Sequence, residues 1–178
     1  MPDEFVVENI IIDKYHFTLR PITLPYSLTF SLNYFVVNSY LAILIGGLIP
    51  MLLGFIWYHP KIFGGPWMKS LGFTEESLKQ GNMGLTMGLA LVISMAMSWL
   101  NNAYASHTEP GMSQFVHGFY HGAFYMGVPG ALVLASNSLF QRNSLTNILI
   151  NVVYWIVALG LMGSFLYSVA APEVASVG

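Results

Sequence analysis

Long apolar stretches without charge alternate with short polar islands along this chain. Every charged residue falls between Asp3 and Arg20, between Lys61 and Lys79, or at Glu109, Arg142 and Glu173. Four stretches between these islands, Phe35 to Trp57, Met83 to Leu100, Met112 to Leu139 and Leu145 to Tyr167, are candidates to cross a membrane. At ~1.5 Å rise per residue, about 20 residues traverse the ~30 Å hydrocarbon core. The pattern predicts an all-α membrane protein, four transmembrane helices in a bundle, with the third long enough to tilt or kink. One domain over 35–167 follows, preceded by an extramembrane extension, 1–34, and followed by a tail, 168–178.

The extension has a different periodicity. Val6, Val7, Ile10, Ile11 and Ile12 favour strand, and Tyr15 to Arg20 alternates apolar with polar until Pro21 and Pro25 interrupt it. Two short strands alone are marginal in water. This β-prone segment is therefore expected to pack on its own bundle, to pair with a partner's sheet edge through Tyr15, Phe17 and Leu19, or to stay mobile.

Composition narrows the class further. The chain is 55% hydrophobic and 8% charged, whereas a soluble domain carries about 25% charged residues. So few charges cannot cover a water-facing surface. A net charge of -2 provides no basic patch, so nucleic acid is not an expected partner. Cysteine is absent, which removes disulfides, thiol chemistry and thiolate metal sites. The opening Met1-Pro2-Asp3-Glu4 lacks the basic start of a cleavable signal, leaving the first span to direct insertion.

Charge also orients the spans. Lys61, Lys69, Lys79 and Arg142 lie in the 1–2 and 3–4 connections, and the 2–3 connection and the tail contain no Lys or Arg. The positive-inside bias places those two connections in the cytoplasm and both termini outside, in an expected bacterial inner membrane. Lys14 and Arg20 argue the other way from a greater distance.

Candidate chemistry inside the spans is sparse. His117 and His121, four residues apart, share one helix face and could hold a metal or cofactor, with His107 as the nearest third ligand. A metal wants three or four ligands, and haem held by two His usually draws them from two helices; no other span has a His. The same pair could instead hydrogen-bond Ser98, Asn101 or Asn102, or relay protons. No resident cofactor is expected. The spans contain no Asp, Glu, Lys or Arg, and their polar residues concentrate toward the two ends around an apolar middle layer of Leu91, Val92, Pro129 and Leu159. Ion coupling lacks its usual groups, and with no nucleophile elbow, phosphate-cradling loop or zincin helix no enzymatic activity is expected. Small residues mark helix packing: Gly84 and Gly88 on the second span, and Gly118, Gly122 and Gly127 on the third. Pro50 and Pro129 should kink their helices.

The 1–2 connection is the most distinctive stretch. Trp57, Tyr58, Phe63 and Trp67 are aromatics of the kind enriched at headgroup depth, and Lys61 and Lys69 can meet lipid phosphates, so the segment reads as an interfacial anchor. Gly64-Gly65-Pro66 is expected to turn the chain, and Thr74-Glu75-Glu76 to start a short interfacial helix ending near Gly81. Trp57, Tyr58, Phe63, Gly64, Trp67, Gly72, Thr74, Glu75 and Glu76, together with Phe140, Arg142, Asn147, Asn151, Tyr154 and Gly163, resemble the domain of unknown function 1761 family, bacterial integral membrane proteins with four spans. The resemblance covers Ser39 to Tyr167, leaves out the extension and the His pair, and implies no catalytic residues. The expected role is a structural or accessory subunit packing in a larger membrane assembly, with lipid and other membrane subunits or its own copies as partners. A small oligomeric carrier or channel for a neutral solute, or a lipid-, metal- or cofactor-binding module using the His cluster, are the alternatives.

Overall fold

The computed structural model describes residues 6–12, 17–23, 26–74, 76–77, 81–103 and 111–170, with the side chains of those between 39 and 169. The chain divides after Tyr40 into two compact units. In the first, β1 (Val6–Ile12) and β2 (Phe17–Thr23) form an antiparallel hairpin. Phe17 stands opposite Ile12 and Leu19 opposite Ile10, while Tyr15 lies outside the described residues. Pro21 stays within β2, opposite Glu8. In a two-stranded sheet every strand is an edge, so the missing N–H is tolerated.

Helix α1 (Tyr26–Trp57) starts in this unit, well before the Phe35 that hydropathy indicates. Ser27, Thr29, Ser31 and Asn33 dilute the apolar pattern without breaking a helix, which explains the difference. Its portion long and apolar enough to cross a membrane is Ser39–Trp57.

The second unit contains the remaining helices: α2 (Gly65–Leu71), α3 (Met83–Ala103), α4 (Gln114–Tyr120), α5 (Val128–Phe140) and α6 (Leu145–Ala170). A π-helical stretch, His121–Gly127, joins α4 to α5 into a single span, Gln114–Phe140. With α1, α3 and α6 this makes four helices with the length and composition of membrane spans. Ser113 caps α4 by accepting the Val116 N–H at 3.3 Å, and Ser144 caps α6 by accepting the Asn147 N–H at 3.2 Å.

Helix α6 is the hub, contacted by α2, α3, α4, the π stretch and α5. Half of its span is buried, 50%, against 11% for α3. The reason is glycine. A Cβ on Gly118 would run into the Gly163 backbone, one on Gly122 into the Leu159 carbonyl, and one on Gly127 would stand 3.0 Å from Ile156 Cα. Such backbone contact maximises dispersion where lipid removes the hydrophobic drive between helices. Ala158, Leu159, Met162 and Leu166 fill the core around it.

Gly84 and Gly88, also expected to mark helix packing, stand in different surroundings. Among the described residues, a Cβ on Gly88 meets nothing within 4 Å, and one on Gly84 meets only Asn82 of its own helix cap. Helix α3 instead buries Ser94, Ser98 and Asn101. Gly88 and Ser94 are six residues apart, which at ~100° per residue puts them on different faces. Glycine spacing identifies a groove but not which helix fills it.

A further expectation changes at Pro66. Gly64-Gly65-Pro66 does not turn the chain: Gly64 (φ -63°) ends a π turn, Pro60–Gly64, and Gly65 (φ -61°) begins α2. Pro66 fits there because the first helical turn needs no N–H donor. The reversal comes at Gly72, whose φ of 68° is the left-handed cap that glycine tolerates, with Phe73 N–H reaching the Met68 carbonyl at 3.0 Å. Thr74 and Ser77 then exchange N–H to hydroxyl bonds at 3.0 and 3.2 Å, a reciprocal cap. The body of the helix expected after it, residues 75 and 78–80, lies outside the described residues. Pro129 follows the π stretch, where Val128 N–H bonds the Ala123 carbonyl five residues back. The wider turn relieves the clash a proline ring makes in a regular helix.

Leucine at Gly122 is expected to destabilise the protein by about 1–3 kcal/mol or more through overpacking, while leucine at Gly88 changes stability by less than about 0.5 kcal/mol. Unfolding of each variant in mixed detergent micelles measures the contrast.

Candidate functional site

The two sequence segments that carry the family-like residues meet in space. Trp57 Nε1–H donates to the Ile150 carbonyl at 3.2 Å, across 93 residues of chain. Tyr58 hydroxyl donates to Asn151 Oδ1 at 2.7 Å, and Asn151 Nδ2 donates in turn to Asn147 Oδ1 at 3.1 Å. From α6, Tyr154 hydroxyl donates to the Pro50 carbonyl at 2.6 Å. The arrangement follows from local geometry: Asn147, Asn151 and Tyr154 stand at helical spacings of four and three, one face of α6. Trp57 closes α1, and Tyr58 N–H prolongs its ladder to the Gly54 carbonyl at 2.9 Å.

Rings consolidate this junction. Trp57 packs on Phe63 at 4.6 Å between centroids, Tyr58 on Tyr154 at 5.2 Å and on Trp67 at 5.4 Å. Trp57, Tyr58 and Trp67 are half-buried, whereas Lys61, Phe63 and Lys69 are exposed. The residues expected to form one interfacial anchor thus divide: Trp57 and Tyr58 direct their polar ends at α6, and Phe63 with the two lysines faces outward. Burial pushes the Tyr58 hydroxyl well above its ordinary pKa, with Tyr154 beside it adding to the rise. It remains a protonated donor across the physiological range.

At the far end of the third span, His117 and His121 stand side by side with ring centroids 4.5 Å apart. His117 is buried and His121 half-buried. Both pack on Tyr167 of α6, at 5.1 and 5.2 Å, and His121 also meets Tyr125 at 4.8 Å. The i, i+4 spacing therefore creates a compact aromatic and imidazole cluster. His107 lies outside the described residues, and among the described residues no group of three His, Asp or Glu is placed to hold a metal ion. Ser98 lies against Gly46 of α1, and Asn101 Nδ2 donates to the Leu159 carbonyl at 3.4 Å, so both are turned toward α1 and α6.

The middle layer is not wholly apolar, which corrects the sequence reading. Ser94, near the centre of α3, is buried, and the bond from Tyr154 to Pro50 lies deep within both spans. The readable signal was the stripe Ser94, Ser98, Asn101 at helical spacing on an otherwise apolar helix.

A family model described as "Protein of unknown function (DUF1761)" matches residues 41–167, a range that starts where the second compact unit starts and contains both segments of the junction. No curated protein and no solved structure matches the chain.

Tyr58→Phe is expected to cost about 0.5–1.5 kcal/mol, the loss of one hydrogen bond, and the cost should shrink when Asn151 is also replaced. The raised pKa of Tyr58 in the folded state makes its contribution complete below about pH 10 and declining above it, because only the unfolded hydroxyl then loses its proton. Unfolding midpoints across that range should fall less for Tyr58→Phe than for the parent.

Proposed function

The chain belongs to the DUF1761 family of proteins of unknown function, and from that premise we propose that it is a non-catalytic integral membrane protein serving as a structural or accessory subunit of a larger membrane assembly. The observation that carries this reading is the uneven use of helix surface. Helix α6 is half buried within the chain, while α3 is exposed at every position from Met83 to Ala90, including Gly84 and Gly88. Other span glycines, such as Gly118, Gly122 and Gly163, are covered by a neighbouring helix. A glycine pair that faces lipid contributes little, whereas one that faces a partner helix permits close approach. The occupant is a transmembrane helix, from another subunit or from a second copy.

In this reading the four spans sit in a bacterial inner membrane with the 1–2 and 3–4 connections cytoplasmic and both termini outside, supported by Lys61, Lys69, Lys79 and Arg142. Lys61 and Lys69, exposed beside Phe63, meet the lipid headgroups. A second reading, a small oligomeric carrier or channel for a neutral solute, draws support from buried Ser94 and from the Tyr154 to Pro50 bond deep in the spans.

Purification from native membranes in mild detergent tests both. Stoichiometric recovery of another membrane protein or of a second copy, abolished in the Gly84→Leu, Gly88→Leu double variant, is the outcome expected of a subunit. A monomer recovered alone, with the same elution before and after the double substitution, would sink the proposal, and a closed ring with a wetted centre would favour the carrier.

A further inference from the structure

The outward side of the third span contains two tyrosines at a depth where a hydroxyl finds little to bond. Tyr120 closes α4 and Tyr125 lies in the π stretch, and they are 47% and 65% exposed. Tyr125 stands near the middle of the 27-residue span Gln114–Phe140. At ~1.5 Å per residue it is roughly 16 Å from the nearer end, well below the headgroup layers where lipid-facing tyrosines ordinarily keep their hydroxyls wet. Among the described residues, no hydrogen bond reaches either hydroxyl. A polar group left unmatched in hydrocarbon is costly, so whatever covers this face is favoured if it brings an acceptor.

Rings surround the two hydroxyls. Tyr120 stacks on Phe124 with centroids 4.7 Å apart and planes 28° from parallel, and it meets Tyr125 edge to face at 6.0 Å. His121 backs Tyr125 at 4.8 Å and rests on buried Tyr167 of α6 at 5.2 Å, which fixes the exposed rings to the hub helix. The π stretch makes the grouping possible: a turn that closes five residues on brings both Phe124 and Tyr125 against Tyr120. Such stretches inside α-helical spans recur at functional sites.

The surroundings define what fits. The four spans contain no Asp, Glu, Lys or Arg, so the occupant is neutral. Exposed ring faces favour a flat conjugated ring, the hydroxyls favour carbonyl oxygens, and the depth requires a molecule dissolved in the hydrocarbon. A neighbouring helix fits less well, because its own ladder consumes its backbone carbonyls. We propose that Tyr120, Phe124 and Tyr125 bind the ring of a lipid-soluble quinone, with the tyrosine hydroxyls donating to its carbonyls and the aromatic faces stacking on its ring. Binding here requires only that the four helices span a membrane; it does not require the subunit role.

Photolabelling of the full chain in lipid nanodiscs, with an azido-quinone that carries an isoprenoid tail, tests this. Label should concentrate on residues 114–127 and fall several-fold when excess unlabelled quinone is added. It should also fall several-fold in the Tyr120→Phe, Tyr125→Phe variant, which keeps both rings and removes only hydroxyls that bond nothing else in the fold. Tyr40→Phe, a change at another exposed tyrosine, should leave labelling as it was. Label spread over the spans in proportion to exposure, with Phe140 at 88% marked as heavily as Tyr125, would overturn the proposal. So would undiminished labelling in the double variant, or labelling that unlabelled quinone does not displace, either of which indicates partition into lipid or contact with a partner subunit.

Discussion

Backbone-to-backbone contact between the third span and α6 is the constraint on which the second unit depends. Gly118 meets Gly163 and Gly122 meets Leu159 at separations that admit no side chain. Where lipid competes equally for apolar surface, only such close approach yields dispersion that lipid cannot match. The consequences spread along both helices. Fixing Gly118 against Gly163 brings His117 and His121 over Tyr167. Gly127, in contact with Ile156, is also where the π stretch ends, two residues before Pro129.

A second set of contacts fastens the first span to the same helix, this time with polar bonds. Trp57 to Ile150, Tyr58 to Asn151 and Tyr154 to Pro50 join segments that are distant in sequence. The Tyr154 bond is buried, where a hydrogen bond is stronger than its counterpart at a wet surface and dearer to leave unmade, and the other two are partly buried. The family-like residues of the first span and of the last are thus two halves of one junction, which gives a physical reason for their occurrence in the same chain.

Much of this architecture was legible in the sequence, and the parts that were not share a cause. Four spans follow from length without charge, which depends on composition alone. Facing does not. Gly84 and Gly88 have the same spacing as Gly118 and Gly122, yet only the second pair is covered by α6, because spacing carries no information about where the neighbour stands. Trp57 and Tyr58 are equally suited to a headgroup layer and to a protein interior, and the choice was made by Asn151 and the Ile150 carbonyl on a helix far along the chain. Ser94 carries little signal by itself because serine is small and tolerated in apolar helices, although its helical phase with Ser98 and Asn101 marks the buried face of α3. Gly64-Gly65-Pro66 has turn composition but occupies the start of α2, since glycine adopts helical angles freely and proline suits a first turn.

The central claim is that the aromatics at the end of the first span hold the protein together from within and do not simply mark its depth in the bilayer. Hydrogen exchange of the Trp57 indole N–H, measured by NMR in lipid bilayers and identified among the four tryptophans by its loss in Trp57→Phe, tests this directly. An indole bonded to the Ile150 carbonyl exchanges far more slowly than one at the headgroup layer and remains slow when lipid composition changes. Exchange as fast as that of an exposed interfacial indole would contradict the account.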